Sequence, residues 1–352
     1  MIYFIIFIIF NLFILKKQLM ETSSMAIVMA LGIITNGVLF NYIGMDTWYV
    51  KLISLYCLSL WLVITLNIFQ SLCIRKNFIA LHLTDKVNRF GVGTWIAATN
   101  IICILIHEEF SQWSIVANIL GYWNLFLWLV FIGFSLKTMA KFFFQPIEKV
   151  HGVILLTTVS TQSIVVMNSQ LNLFSVVLNK LFIVTGILFY LFCLYLIIKR
   201  YLKVKWMLET DWKNTNCIIH GALSITGVAC SFTHSFSSMV MILWFIVCFL
   251  FIFIESIEVI RLLKRMNKFG FRMAFMIYDT SQWSRIFTFG MFYTFTIFLK
   301  PTSTLVMDIK EGIINVGIWV IFVLLLFQMF LLTKQVTLQV KTIRKDPHSM
   351  EM

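Results

Sequence analysis

Apolar stretches long enough for the ~20 residues that cross a ~30 Å hydrocarbon core recur from Met25 to Leu332, separated by short polar connections. Ten spans are expected, at about residues 25–43, 51–74, 90–107, 113–136, 152–171, 175–198, 214–233, 238–260, 283–300 and 312–333. The odd-numbered spans begin near residues 25, 90, 152, 214 and 283, at almost even intervals, which predicts five helical hairpins repeated in sequence. The expected fold class is an all-α integral membrane protein of ten transmembrane helices.

The two sets of spans differ in polarity. Even spans are Leu-, Ile-, Phe- and Trp-rich, as in "LFLWLVFIGF" over 125–134. Odd spans carry Thr35, Asn36, Thr99, Asn100, Ser160, Thr161, Gln162, His220, Ser224, Thr226, Arg285 and Thr288, together with eight glycines. Polar side chains facing lipid are costly, so the odd helices are expected inside and the even helices outside. Two readings of the polar set stand side by side. Small and hydroxyl residues are nothing but glue between helices, or they line a central pathway.

Charge then sets orientation. Of the 28 Lys and Arg residues, 23 fall at one set of ends, beginning with Lys16, Lys17, Arg75 and Lys76 and closing with Lys334, Lys341, Arg344 and Lys345. By the positive-inside rule these ends are cytoplasmic, so both termini are expected inside a multi-pass protein of the cell membrane. The outer connections are short, and Glu108 and Glu109 form their only acidic pair. Residues 2–15 form an additional apolar segment. At 14 residues a helix reaches only ~21 Å, so an interfacial or partly inserted helix is expected, with an eleventh span or a mis-called start codon as alternatives. The chain thus divides into an N-terminal apolar segment, 1–20, a membrane domain, 21–333, and a short basic tail, 334–352.

Composition narrows the function classes. With 60% apolar and only 12% charged residues, the net charge of +13 bears on membrane sidedness, and nucleic acid is not an expected partner. The seven cysteines lie mostly in apolar stretches without a CxxC pair and read as small buried hydrophobes. No hydrolase, phosphate-loop or zinc-protease motif occurs, and His82, His107, His151, His220, His234 and His348 lack metal-ligand spacing. Neither an enzyme nor a cofactor or metal is expected. Arg285 is the one Lys, Arg, Asp or Glu near the middle of an odd span, with no acid in its own helix to neutralise it. It either snorkels towards the cytoplasm or faces a conduit and favours anions over cations. His220 is either a hydrogen-bonded packing residue or a proton relay.

Five segments in order resemble one known family. "SSMAIVMALGIITNGVL" (23–39), "FGVGTWIAATN" (90–100), "LLTTVSTQSIVVMNSQL" (155–171), "NCIIHGALSITG" (216–227) and "SQWSRIFTFGMFYTFT" (281–296) are similar to inner-helix motifs of the tellurite-resistance/dicarboxylate transporter family, which includes the plant slow anion channels. The resemblance implies ten helices in five quasi-repeated hairpins, odd helices around a pore, and a homotrimer with one pore per subunit. It further implies that a phenylalanine of the ninth helix, four residues after a tryptophan, plugs the pore, which in "WSRIF" is Phe287. The chain departs from the family pattern in having Thr288 after that phenylalanine and Arg285 at an apolar position. It has no proline inside any span, since Pro146, Pro301 and Pro347 fall in loops or tail.

The expected function is passage of small anions across the bilayer through a channel or uniporter gated by Phe287. The alternatives are a secondary transporter for C4-dicarboxylate, sulfite or tellurite, coupled through His220, and a non-conducting scaffold or sensor whose inner helices are packed shut.

Overall fold

The computed structural model describes residues 2–15, 21–44, 47–73, 78–142, 144, 147–234, 236–301 and 303–345. Lys16, Lys17, Arg75, Lys76, Pro146, Pro347 and the end of the basic tail lie outside them. Among the described residues all regular structure is helical. Eight helices are long and apolar enough to cross a bilayer, making this a multi-pass membrane protein. Two of the ten expected spans fall short of that measure. The first, α2 (Ala26–Ile33), passes through a π-helical segment, Ile34–Leu39, before its last turn, and the ninth, Gln282–Phe298, has 17 residues.

The other long helices are α1 (Ile2–Leu15), α3 (Trp48–Cys73), α4 (Gly93–Glu109), α5 (Ser114–Lys141), α6 (Leu156–Leu171), α7 (Val176–Lys203), α8 (Ile218–Phe232), α9 (Ser237–Phe269) and α11 (Thr304–Lys345), and the ninth span is α10 (Gln282–Phe298). The last runs unbroken past residue 333, so the start of the expected tail continues the helix. Burial separates two classes. The segments containing α4, α6 and α8 are 89% buried in their most apolar stretch, whereas α3, α5, α7, α9 and α11 are 17–39% buried. Every residue of α2 and 12 of the 17 in α10 are likewise buried. The expected division into polar inner and apolar outer helices therefore holds.

The five buried helices pack in a closed ring, α2 on α4, α4 on α6, α6 on α8, α8 on α10 and α10 back on α2. Glycines set the contacts: a Cβ at Gly93 would strike Leu156, at Gly221 Thr288, at Gly37 Thr294 and at Gly290 Ile33. The sequence separation stays constant along each contact. It is 63 for both Gly93–Leu156 and Asn100–Ser163, and 257 for both Ile33–Gly290 and Gly37–Thr294. The α2–α4 contact keeps a separation of 69 at both Thr22–Gly91 and Gly32–Ile101, and the α8–α10 contact keeps 67 and 68 at Gly221–Thr288 and Gly227–Phe295; only parallel helices do this, so all five ring helices point the same way.

The outer helices are fastened to the ring by a recurring bond. Indole Nε1 of Trp61 donates to Thr99, that of Trp128 to Thr161 and that of Trp244 to Thr296, at 3.0, 3.0 and 3.1 Å. Each such bond inside a membrane contributes roughly 0.6–2 kcal/mol. In a fourth pair Tyr190 of α7 donates its hydroxyl to the Ile219 carbonyl of α8.

Helix α1 joins the outer layer. It packs along α3, with the rings of Phe7 and Tyr56 5.4 Å apart and Asn11 Nδ2 donating to Ser59 Oγ at 3.0 Å. Both contacts advance in the same direction, so α1 is parallel to α3 and starts at the same end of the ring as Trp48. Asn11, buried within an otherwise apolar segment, gains the partner that hydrocarbon could not supply.

At the N-terminal rim of the ring, His151 sits just before the 3₁₀ turn Gly152–Leu155 that leads into α6. Its Nδ1 lies 2.7 Å from Thr215 Oγ1 and accepts from the Val153 amide, which ties the start of α6 to that of α8. Burial, reinforced by Lys213 and Arg200, holds its pKa down to about 4. A folded pKa below the unfolded value of about 6.5 means full stabilisation above pH 6.5 and loss as pH falls towards 4. The detergent-solubilised protein should therefore lose up to about 3 kcal/mol between pH 7 and 4 through this group, and His151→Gln should flatten that part of a thermal-unfolding pH profile.

Candidate functional site

A cavity of about 300 Å³ occupies the C-terminal half of the ring and is lined by all five ring helices. Along α10 it is bounded in turn by Phe287, Met291, Thr294 and Phe298, a rise of about 16 Å at 1.5 Å per residue. Phe287, buried to 2% exposure, forms its deep end together with Ala97 and Ile225. Asn41, Glu108, Gln170 and Phe298 line it where the ring helices end. At the opposite end of the ring the side chains of Met25, Met29, Phe90 and Ile286 are buried.

Local structure aims one wall into this space. The π-helical segment Ile34–Leu39 contains Gly37, whose missing Cβ admits the Thr294 side chain of α10, and the widened turn presents Asn36 to the cavity. Such π-bulges cluster at functional positions of helices. Asn36 Nδ2 donates to the Ile101 carbonyl at 3.4 Å, and its Oδ1 is buried without a hydrogen-bond partner. On the facing wall Asn124 of α5 donates to Asn100 Oδ1 at 2.7 Å, Asn100 donates to Ser163 Oγ at 2.8 Å, and Ser163 donates to the Ser160 carbonyl. Asn100 and Ser163 both line the cavity. Thr294 lines it too, with its hydroxyl bonded to the Gly290 carbonyl one turn back.

Of the candidate pore-lining residues, Asn36 and Asn100 line this cavity, as does Phe287, the expected gate. The others are directed elsewhere. Thr99 and Thr161 receive the indole bonds of the outer helices, and Gln162 donates to the Ile183 carbonyl against Gly186 of α7. Thr35, Ser160, Ser224, Thr226 and Thr288 give their hydroxyls to backbone carbonyls three or four residues back in their own helices. For these residues packing and local bonding, rather than lining, is the observed role.

Arg285 requires a correction. It points away from the cavity towards α9, where its Nη2 lies 2.9 Å from Glu258 Oε1 and its Nε 3.5 Å from Glu255 Oε2. It is therefore a neutralised cation, and its partners come from the neighbouring outer helix. Glu258 also accepts from Trp212 Nε1 at 2.8 Å and pairs with Arg261 at 3.1 Å, and Arg261 donates to Asn214 at 2.6 Å. His220 is turned to the same side, its Nε2 3.5 Å from Glu255 Oε1 and its ring edge-on to Phe251. His220 and Arg285 thus belong to one charged cluster between α8, α9 and α10.

Ser163, Thr294, Asn41, Gln170 and Glu108 were not among the expected lining residues. The signal that could have found Ser163 and Thr294 is their offset from Asn100 and Gly37 by the ring separations of 63 and 257. Glu108 is the one charged side chain in the lining.

If the cavity communicates with solvent at the Glu108 end, Thr294→Cys should react with a membrane-impermeant thiol reagent. Thr288→Cys, buried against Gly221 of α8 and outside the cavity lining, should react at least about tenfold more slowly, since modification follows thiolate access. Labelling followed by mass spectrometry reads both.

No family model matches the chain, and no curated protein matches it.

Proposed function

We propose that this protein is a gated passage for small anions, in which the five parallel ring helices form the conduit and Phe287 closes it. The observation that carries the reading is the cavity, walled by every ring helix and ending on that phenylalanine. An apolar ring across a narrow bore disfavours water and raises the barrier to a hydrated ion. The neutral amides and hydroxyls of Asn36, Asn100 and Ser163 offer weak contacts, which suit an ion that must leave as readily as it enters.

In this proposal the chain crosses the membrane ten times in five repeated hairpins, α2 and α10 included, and the resemblance to the tellurite-resistance/dicarboxylate transporter family extends to a homotrimer. Preference for anions follows from orientation. The five ring helices begin at the rim that carries Arg89, Lys149, Arg200 and Lys213. Each helix start contributes about half a positive charge, and helix N-termini attract anions. At the far end Lys310 Nζ caps the closing carbonyls Ile297 and Leu299 of α10, both at 2.8 Å.

A second reading is passage of a neutral polar solute. It is favoured by the cavity lining, where Glu108 bears the one charge and amides supply most of the polarity.

The purified protein in liposomes should pass chloride, nitrate or malate under an imposed potential. Phe287→Ala should raise that flux about tenfold, as a barrier lower by ~1.4 kcal/mol would. Flux of an uncharged polyol with none of the anions would establish the second reading, and no flux of any solute in either variant would refute both. The parallel packing of α1 on α3 also extends the proposal to an eleventh crossing that starts outside. An N-terminal epitope should accordingly be stained on intact cells, and a C-terminal one only after permeabilisation.

A further inference from the structure

On the rim side of the ring, α10 lies between α9 and α11 and packs on both, leaving a cleft of about 380 Å³ between the two outer helices. Its inner end is charged. Arg261, Arg265 and Arg285 stand there with Glu255, Glu258 and Asp279, three guanidiniums against three carboxylates. Its outer walls are apolar, and two of them, Val259 and Val323, are 58% and 65% exposed, so the cleft opens sideways towards the acyl chains. Phe275 stacks on Phe327 at 4.6 Å at the rim end of the same space.

The charged end is not fully satisfied from within. Arg261 is 8% exposed, and its Nε is buried without a hydrogen bond. Among the described residues Glu255 Oε1 likewise accepts no hydrogen bond; the His220 ring nitrogen lies 3.5 Å from it, and Arg285 pairs with the other oxygen. A donor and an acceptor are therefore left over in one cleft whose other end faces hydrocarbon.

We propose that this cleft holds the head of a zwitterionic phospholipid bearing a primary ammonium, with its phosphodiester towards Arg261 and Arg265 and its ammonium towards Glu255. The balance of signs selects this class. A predominantly basic pocket between transmembrane helices would take an anionic head. Here a lone negative head would leave Glu255 facing it, and burying uncompensated charge is costly. A primary ammonium brings three N–H donors to the carboxylate, whereas a quaternary one brings none.

The test is native mass spectrometry of the full-length protein, delipidated in detergent and exposed to an equimolar mixture of dioleoyl phosphatidylethanolamine, phosphatidylcholine and phosphatidylglycerol. The ethanolamine lipid should be retained about tenfold over either competitor. Val323→Trp fills the mouth without touching the ion pairs, and it should abolish that retention while leaving the thermal midpoint unchanged. Arg265→Gln, at the edge of the charged end, should weaken it severalfold. Equal retention of the three lipids, preference for phosphatidylglycerol, or undiminished retention in Val323→Trp would each overturn the proposal. Because the readout is bound mass, it is independent of whether the ring conducts.

Discussion

Hydrocarbon offers no hydrogen bonds, and that constraint organises this protein. Every polar side chain on the ring helices must find a partner within the protein or face a space that is not lipid. Most take the first course. The hydroxyls of Thr35, Ser224 and Thr226 return to their own backbone, and those of Thr99 and Thr161 accept indole bonds from outside. Once these are accounted for, the remaining ring-helix polar groups gather mainly at two places, the short cavity with Asn36, Asn100 and Ser163 and the charged cluster that holds His220 and Arg285. The cavity is thus the part of the ring interior where polarity has not been spent on assembly.

Close approach is the second half of the same economy. Glycines let neighbouring ring helices touch along lines of fixed register, and the outer helices then add apolar cover. The absence of proline from the described spans fits this arrangement, because the departure from α-geometry midway along a ring segment, at Ile34–Leu39, is made by π-turns around Gly37. That departure lies at the cavity, so the irregular backbone is placed where it does not face lipid.

Much of the architecture was legible in the sequence. The contrast between hydroxyl-bearing and Leu-rich spans anticipates which helices are buried, because the cost of exposing polar groups to lipid is large and recurs along the chain. The spacing near 63 residues anticipates the parallel register. The cavity was legible only in part. Composition tells that Thr99 or Arg285 cannot face lipid, yet not whether each turns inward or towards an outer helix, and that choice depends on single partners. Thr99 is claimed by Trp61 and Arg285 by Glu255 and Glu258. Those carboxylates lie about 30 residues away on another helix, and a search confined to the arginine's own helix could not reach them. Helix α1 shows the same limit: the length of the segment does not disclose the Asn11–Ser59 bond that pairs it with α3.

The ring closes between its first and last members, where Ile33 meets Gly290 and Gly37 meets Thr294. During synthesis α2 emerges first, and its final neighbour follows some 257 residues later. At ribosomal speeds of ~5–20 residues per second this leaves a delay of roughly 10–50 s. Throughout it, the face of α2 meant for α10 must be shielded by lipid, by insertion machinery or by a temporary helix partner. Maturation of this fold is therefore timed by its C-terminal hairpin, and a nascent chain arrested before Ser284 would present an open, unsealed palisade to the quality-control system.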